Sequence, residues 1–140
     1  MSYKEKLKNI KNFVFDVDGV FTDGSIIVDN NGNEFRVFNT RDGIAVKIAT
    51  EKGYNFCVIS GGNNEGVRKR LQRLGVKNIF LGVDNKIGIF ESFLKKHNLN
   101  PSETLYMGDD IPDIKILNMT GLSCCPNDSA NEVREIVDYI

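Results

Sequence analysis

The chain has 140 residues, of which 41% are hydrophobic and 26% are charged, and its formal net charge at neutral pH is −1. This length and composition are typical of one globular domain with its own core, so we expect residues 1–140 to form a single domain. The nearly balanced charge argues against electrostatic binding to nucleic acid or to an anionic membrane, and no apolar stretch is long enough to span a bilayer.

The predicted elements alternate between strand and helix along the chain. Short apolar runs predict buried strands that begin at Phe13 and that cover residues 56–59, 79–81, 104–107 and 122–125. Helices are predicted after a cap at Thr40 or Asp42, after Asn63 or Asn64, and over residues 87–94, 114–117 and 130–139. This order predicts an α/β fold, a three-layer, Rossmann-like parallel sheet with helices on both faces.

One β-hairpin is predicted as an insertion between residues 25 and 38. Its turn, residues 30–33, consists of Asn-Asn-Gly-Asn, and apolar residues flank it on both sides. Because both faces of the hairpin carry apolar side chains, it needs a surface to pack against, in its own domain or in a neighbouring subunit. We favour the neighbouring subunit and expect four residues at or near the contact: Ile26, Val28, Phe35 and Val37.

Polar residues follow four of the predicted strands, although each of them alone has an ordinary explanation as a turn, a cap or a solvated side chain. They are, in chain order, Asp16 with Asp18, Ser60 with Gly61, Lys86, and Asp109 with Asp110 and Asp113. The carboxyl ends of parallel strands meet at one edge of the sheet, where binding sites of open α/β folds collect. Paired carboxylates can supply a nucleophile and a proton donor, and small residues after Ser60 let backbone N–H groups approach an anion. The pattern therefore indicates a site for a phosphate and a metal.

This ordered set resembles the haloacid dehalogenase superfamily of phosphotransferases. Its four motifs are matched by Asp16-x-Asp18-Gly19-x-x-Thr22, by Ser60, by Lys86 and by Gly108-Asp109-x-x-x-Asp113. The resemblance covers nearly the whole chain. The second aspartate of the first motif implies a phosphatase or a mutase within the superfamily.

The resemblance also implies a role for each reacting residue. Asp16 would attack phosphorus and form an aspartyl-phosphate, while Asp18 would protonate the leaving alcohol and then activate water. Lys86 would offset the negative charge of the nucleophile and the phosphoryl group. Ser60 and Gly61 would hold the phosphoryl oxygens.

A magnesium ion is the cofactor that the resemblance implies. Asp16, the backbone carbonyl of Asp18 and Asp109 would hold it, and Mg²⁺ prefers such oxygen ligands. Asp113 and Asp110 would orient the groups that bind the metal.

The spacing of the motifs implies that the cap domain of larger superfamily members is absent. One hairpin, one helix and one strand fill the interval from Thr22 to Ser60, and one helix and one strand fill the interval from Ser60 to Lys86. The site would therefore be open to solvent unless a neighbouring subunit covers it.

Longer matches are similar to the family of 3-deoxy-D-manno-octulosonate 8-phosphate phosphatases. They cover residues 16–24, 38–43, 84–86 and 108–110. That family consists of tetramers that supply a sugar acid for lipopolysaccharide, which implies a homotetramer and a sugar-phosphate substrate. Arg41 and Asp42 would lie at the mouth of the site and contact the sugar. Many family members have Arg where this chain has Gly62, and they usually continue into a Gly-rich tail, whereas this sequence ends at Ile140.

Three alternatives stay open at this point. Related phosphatases hydrolyse sialate-type 9-phosphates, and another small phosphate ester is also compatible with the motifs. A non-catalytic assembly or regulatory domain of the same fold is disfavoured by the complete set of motif residues. A phospho-receiver domain is disfavoured because its acceptor aspartate lies on a middle strand, whereas Asp16 follows the first strand here.

The cysteines and the single histidine restrict the remaining chemistry. Cys57, Cys124 and Cys125 lie in apolar surroundings without a cluster of further cysteines or histidines, so we interpret them as reduced core thiols of a cytoplasmic protein. The N-terminus lacks the apolar run of a signal peptide. His97 lies near the end of a predicted helix, which argues against a Ser-His-Asp triad and a histidine-based zinc site.

Overall fold

A computed structural model describes all residues from Met1 to Ile140, with seven strands and six α-helices. The strands are β1 (Asn12–Phe15), β2 (Ile27–Val28), β3 (Glu34–Phe35), β4 (Asn55–Ile59), β5 (Asn78–Phe80), β6 (Thr104–Met107) and β7 (Leu122–Cys124). The helices are α1 (Tyr3–Leu7), α2 (Thr40–Glu51), α3 (Glu65–Arg73), α4 (Lys86–Lys96), α5 (Ile114–Leu117) and α6 (Asn131–Arg134). None of the helices is both long and apolar enough to cross a membrane.

Five strands form one parallel sheet in the order β5-β4-β1-β6-β7. The central strand β1 pairs with β4 on one side and with β6 on the other, so that Phe15 lies opposite Val58 and Met107. The carboxyl ends of these three strands therefore meet at one edge of the sheet. The predicted α/β architecture is confirmed.

The core lies on both faces of this sheet because alternate residues of each strand point to opposite sides. On one face, Val14, Cys57 and Tyr106 pack against residues of α4 and α5. On the other face, Phe56 and Val58 pack against residues of α2 and α3. The three layers hold the sheet edge in a fixed place.

Helix α2 begins earlier than the sequence analysis predicted, by one residue relative to a cap at Thr40 and by three relative to a cap at Asp42. Its N-cap is Asn39, whose side-chain oxygen accepts hydrogen bonds from the backbone N–H groups of Arg41 and Asp42. Thr40 and Asp42 are therefore inside the helix, and the prediction of either as the cap is wrong. An asparagine is at least as good an N-cap as the other two residue types, so Asn39 competes successfully. The prediction for α3 is confirmed, with Asn64 as its N-cap.

The predicted C-terminal helix over residues 130–139 is wrong in its extent, because α6 ends at Arg134. Tyr139 instead forms a parallel bridge with Cys124 at the edge of the sheet. The Asp138 carboxylate accepts hydrogen bonds from the backbone N–H and the hydroxyl of Ser123, and it pairs with Lys6 at 2.5 Å. These tertiary contacts outweigh the local helical pattern.

The predicted hairpin is confirmed as a separate two-stranded antiparallel sheet of β2 and β3. Its apolar side chains are exposed in a single chain: Val28 is 63% exposed, Phe35 51% and Val37 72%. Only the hairpin, α2 and β4 lie between Thr22 and Ser60, and no cap domain is inserted.

Candidate active site

Eleven residues at the carboxyl edge of the sheet line a polar cleft of about 340 Å³. They are Asp16, Asp18, Gly24, Ser60, Gly61, Gly62, Lys86, Asp109, Asp110, Pro112 and Asp113. The structure thus brings together eight of the ten residues that the sequence predicted for the site. The other two, Arg41 and Asp42, do not line the cleft.

Asp16 follows the last residue of β1 and is 6% exposed. Its Oδ1 accepts a hydrogen bond of 2.7 Å from the backbone N–H of Val17, and its Oδ2 lies 3.1 Å from the Lys86 ammonium. Burial raises the pKa of Asp16 to about 6, against the opposing effect of Lys86. A carboxylate in this position stays reactive only if a positive charge accompanies it.

Lys86 supplies a positive charge beside Asp16. It is the first residue of α4, and its ammonium group lies between two carboxylates. Its Nζ is 3.1 Å from Asp16 and 3.0 Å from Asp113, and the side chain is 9% exposed. Burial by itself would lower the pKa of Lys86, but the two carboxylates outweigh this effect and raise it. Lys86 is therefore charged at neutral pH.

Asp113 is fully buried and accepts four hydrogen bonds. Its Oδ1 accepts from the Tyr106 hydroxyl at 2.6 Å and from Lys86 at 3.0 Å. Its Oδ2 accepts from the backbone N–H groups of Asp109 and Asp110 at 3.1 and 3.3 Å. Because these donors occupy both oxygens, Asp113 is suited to orient its neighbours.

Tyr106 is a residue of this network that the sequence analysis missed. It is fully buried on β6, and burial together with the nearby Asp113 raises the pKa of its hydroxyl well above the usual value, which keeps it a donor. The available signal was a tyrosine inside an otherwise apolar strand, because a buried tyrosine hydroxyl usually has a hydrogen-bond partner.

Three carboxylates in the cleft are close enough to share a cation. Oxygen atoms of Asp16, Asp109 and Asp113 all lie within 4.8 Å of one another. Burial, together with the negative charges of Asp16 and Asp113, raises the pKa of Asp109 to about 7. Such crowding of oxygen ligands suits a hard divalent cation. The Asp18 side chain is not part of this group, and its predicted contribution to the metal was through its backbone carbonyl.

The loop after β1 must pass close to Asp109, and Gly19 permits this. Gly19 has φ +82°, and a Cβ atom there would lie 1.8 Å from Asp109 Oδ2. The Thr22 hydroxyl accepts hydrogen bonds of 3.2 Å from the backbone N–H groups of both Gly19 and Gly24, which tightens the loop. This geometry explains why glycine and threonine accompany the two aspartates.

Asp18 forms a two-point ion pair with Arg36, a residue that the sequence analysis did not select. Nε of Arg36 lies 2.6 Å from Asp18 Oδ1, and Nη2 lies 3.2 Å from Oδ2. The hydrogen bonds to Asp18 raise the pKa of Arg36 above its already high value. The available signal was a basic residue between Phe35 and Val37 in the hairpin.

Ser60 follows β4 and is 3% exposed. Its Oγ accepts a hydrogen bond of 3.3 Å from the backbone N–H of Gly62, which leaves the hydroxyl hydrogen available for an anion in the cleft. Arg41 and Asp42 are exposed on the first turn of α2, and Asp42 borders a separate apolar groove. Their role in substrate binding stays a prediction.

Comparison with known proteins assigns the family. No family model matches the chain. Over 135 residues it is 33% identical to the 3-deoxy-D-manno-octulosonate 8-phosphate phosphatase of Escherichia coli (strain K12), across 96% of this chain and 72% of that protein. The chain belongs to the 3-deoxy-D-manno-octulosonate 8-phosphate phosphatase family. The Haemophilus influenzae enzyme of the same name is 34% identical over 137 residues, 98% of this chain and 76% of that protein.

Solved structures agree with this assignment. The phosphatase of this name from Moraxella catarrhalis, in complex with a magnesium ion, a phosphate ion and a KDO molecule, superimposes with a TM-score of 0.94. It is 32% identical and covers 99% of this chain and 79% of its own. A cobalt-bound phosphatase from Haemophilus influenzae gives a TM-score of 0.90 at 34% identity, over 96% of this chain and 78% of its own. The resemblance predicted from the motifs is confirmed.

Proposed function

We propose that residues 1–140 form one hydrolase domain that removes phosphate from 3-deoxy-D-manno-octulosonate 8-phosphate with the help of Mg²⁺. The observation that carries this proposal is the buried row of Asp16, Lys86 and Asp113 beside the more exposed Asp18, whose partner is Arg36. Each carboxylate has a cationic partner, but the Asp16 side chain is 9% exposed and the Asp18 side chain is 34% exposed. This asymmetry suits a nucleophile and an acid–base group.

In the first half of the reaction, an oxygen of Asp16 attacks phosphorus and the bond between phosphorus and the sugar oxygen breaks. Asp18 gives its proton to the departing sugar oxygen, which leaves as an alcohol. In the second half, Asp18 takes a proton from water. The resulting hydroxide attacks the aspartyl-phosphate, releases inorganic phosphate and restores the Asp16 carboxylate.

Mg²⁺ fits the donor set, since the cleft offers carboxylate oxygens and only one cationic side chain, Lys86. We assign Asp16, Asp109 and the backbone carbonyl of Asp18 as its ligands. Asp113 and Asp110 orient the loop that carries Asp109. When bound, the ion supplies positive charge that offsets the negative charge of the phosphate.

The remaining polar groups hold the phosphoryl oxygens. Lys86 neutralises charge from the closed side of the cleft, and the Ser60 hydroxyl and the backbone near Gly61 donate hydrogen bonds from β4. Preorganised donors of this kind stabilise charge that develops in the transition state.

The sugar end of the substrate lies outside this small cleft, which has no lining residue specialised for a sugar acid. We propose that the exposed hairpin packs against neighbouring copies in a homotetramer and that Arg41 and Asp42 contact the sugar at the assembled mouth. We also propose that this activity is a cytoplasmic step of lipopolysaccharide synthesis, as the resemblance to the family implies.

Phosphate release measured across substrates tests the proposal. The panel contains 3-deoxy-D-manno-octulosonate 8-phosphate, a sialate-type 9-phosphate, simple sugar phosphates and nucleotides, each with Mg²⁺ and with a chelator. We expect the highest kcat/KM for the first substrate. Preference for the 9-phosphate would replace the substrate assignment, and no release from any ester would favour a non-catalytic domain.

A further inference from the structure

Arg36 lies in an unusual position for an arginine in an exposed hairpin. Its side chain is only 5% exposed, whereas its neighbours Phe35 and Val37 are largely exposed. The guanidinium group is directed away from solvent and towards the carboxylate of Asp18, 18 positions earlier in the sequence. The hairpin therefore delivers one buried cation to the active site.

The contact with Asp18 engages both carboxylate oxygens. Nε donates to Oδ1 at 2.6 Å, and Nη2 donates to Oδ2 at 3.2 Å. Two parallel hydrogen bonds fix the plane of a carboxylate, which a single ammonium contact does not. Asp18 is 34% exposed and has no other side-chain partner, so Arg36 is the group that orients it.

Two further observations concern the surroundings of this arginine: one of its N–H groups lacks a hydrogen-bond partner, and a glycine leaves space for it. Its Nη1 is buried without a hydrogen-bond partner, and such unsatisfied groups in native structures call for a functional explanation. A Cβ atom at Gly62 would lie 3.1 Å from Nη2, so the lack of a side chain at position 62 leaves space for the guanidinium group.

The end of the hairpin that carries Arg36, directly after β3, is also anchored. The Asn64 side chain, at the start of α3, donates a hydrogen bond of 2.9 Å to the backbone carbonyl of Glu34. The Glu34 carboxylate lies 3.4 Å from Nη2 of Arg36 and gives it a second acidic partner. The position of Arg36 is thus set by the hairpin and by α3 together.

From this geometry we propose that Arg36 is a positioning residue that holds the Asp18 side chain towards the leaving oxygen of the substrate; when Asp18 acts as the acid, one of its oxygens carries the proton and the other keeps its hydrogen bond to Arg36. The inference rests on the proposed function, because it assigns Arg36 to act through Asp18. The bond that needs this help is the one between phosphorus and a poor leaving group such as a sugar alkoxide. An activated aryl leaving group departs without a proton.

The test compares kcat/KM for an alkyl phosphate and for 2,4-dinitrophenyl phosphate in wild type and Arg36→Ala. We expect the alkyl phosphate to lose about 30-fold or more, because misplacement of a catalytic group by about 1 Å can cost on the order of 100-fold. The aryl phosphate should lose less than about threefold, since it gains little from general acid catalysis. Millimolar guanidinium ions should restore part of the alkyl phosphate activity.

Three further variants sharpen the comparison. Arg36→Lys keeps the charge but loses the two-point contact, so we expect the same dependence on the leaving group with a smaller loss of kcat/KM. This variant replaces Arg36→Ala in the test if Arg36→Ala folds poorly. Arg68→Ala removes another arginine, one paired with Glu65 at 3.7 Å, and should keep the wild-type pattern. Adding Arg36→Ala to Asp18→Asn should cause little additional loss, because both changes act on the same group.

Equal losses for both substrates, or additive losses in the double variant, would overturn the inference while leaving the phosphatase assignment intact. A rise in KM with unchanged leaving-group dependence would instead make Arg36 a substrate-binding residue and also overturn it. A wild-type protein that hydrolyses none of the esters would overturn the proposed function and this inference together.

Discussion

The buried end of the active site and the hairpin differ in how complete they are within one chain. At the buried end, Asp113 satisfies both of its oxygens with four donors, and Lys86 has two carboxylate partners. The hairpin has one buried residue directed inwards, Arg36, while Phe35 and Val37 lie in solvent. This difference is the basis of our proposal that phosphate chemistry belongs to the single chain and that recognition of the sugar needs a second copy.

The largest effect should come from the nucleophile itself. Asp16→Asn removes the attacking oxygen, and we expect kcat to fall by at least about 1,000-fold, as for other nucleophile replacements. Phosphate release measures the loss, and an unchanged circular dichroism spectrum serves as the control for folding. Activity within about tenfold of wild type would show that Asp16 is not the nucleophile.

Removal of the metal, which binds at the buried end of the site in our proposal, should reduce phosphate release nearly as much as Asp16→Asn does. With a chelator present and the metal content shown to be nil, we expect phosphate release to stop, since Asp16 and Asp109 then repel the substrate. Mg²⁺ should restore it. Ca²⁺ should inhibit, because its longer bonds and higher coordination number favour both oxygens of Asp16 on the metal. Full activity without metal would contradict the proposed cofactor.

Charges placed on the hairpin test the other half of the comparison. The combined change Phe35→Lys and Val37→Glu keeps the net charge and should dissociate the assembly in light scattering. We expect KM for the sugar phosphate to rise about tenfold through lost positioning, with a smaller effect on a small aryl phosphate.

Leu7→Lys is the matched control for the hairpin variant, because it adds a charge at an exposed apolar residue of α1, which contacts β7. It should leave both the assembly and KM unchanged. A wild-type protein that is monomeric at assay concentration and still selective for the sugar-acid phosphate would show that no neighbour is needed.

Tyr106→Phe, a change at the buried end of the site, should moderately reduce both stability and activity. Asp113 loses one of its four donors, so we expect about 1 kcal/mol lower free energy of unfolding and about tenfold lower activity, as for other groups that orient metal ligands. Tyr54→Phe removes a hydroxyl from a 40% exposed tyrosine and should change neither quantity. Denaturant unfolding and phosphate release provide the measurements, and an unaffected Tyr106→Phe variant would remove the tyrosine from the network.

The smallest effect concerns the pH dependence of stability without metal. The pKa values of Asp16 and Asp109 are raised from 3.8 to about 6 and about 7, so the folded protein binds protons more tightly than the unfolded chain. The stability that these groups contribute is therefore complete below about pH 4 and is lost as the pH rises through 6 to 7.

Thermal unfolding of the metal-free protein at pH 5 and at pH 8 measures this dependence. We expect a lower Tm at pH 8 and a larger increase on adding Mg²⁺ there, because the ligands must be deprotonated to bind metal. Asp109→Asn should weaken both trends. A metal-free Tm that is the same at the two pH values would contradict the raised pKa values.

The sequence by itself determined the order of the sheet strands and the aspartates, serine and lysine that follow them. Apolar runs located the five sheet strands, and because parallel strands end at one edge, the residues after them had to meet. The aspartates, Ser60 and Lys86 were therefore recognisable from their places after strands. Local patterns also located the hairpin, since its turn residues and flanking apolar residues lie close together in sequence.

Only the tertiary structure decided the contacts between distant positions. The Arg36–Asp18 pair and the Tyr106–Asp113 hydrogen bond depend on how the hairpin and β6 are placed, which local propensity does not encode. The same holds for the C-terminus, where pairing of Tyr139 with Cys124 replaces a helix that the local pattern favoured. These contacts are long-range hydrogen bonds and ion pairs, formed in the low-dielectric interior or at the sheet edge. At the C-terminus they outweigh a local helical preference of a few tenths of a kcal/mol per residue.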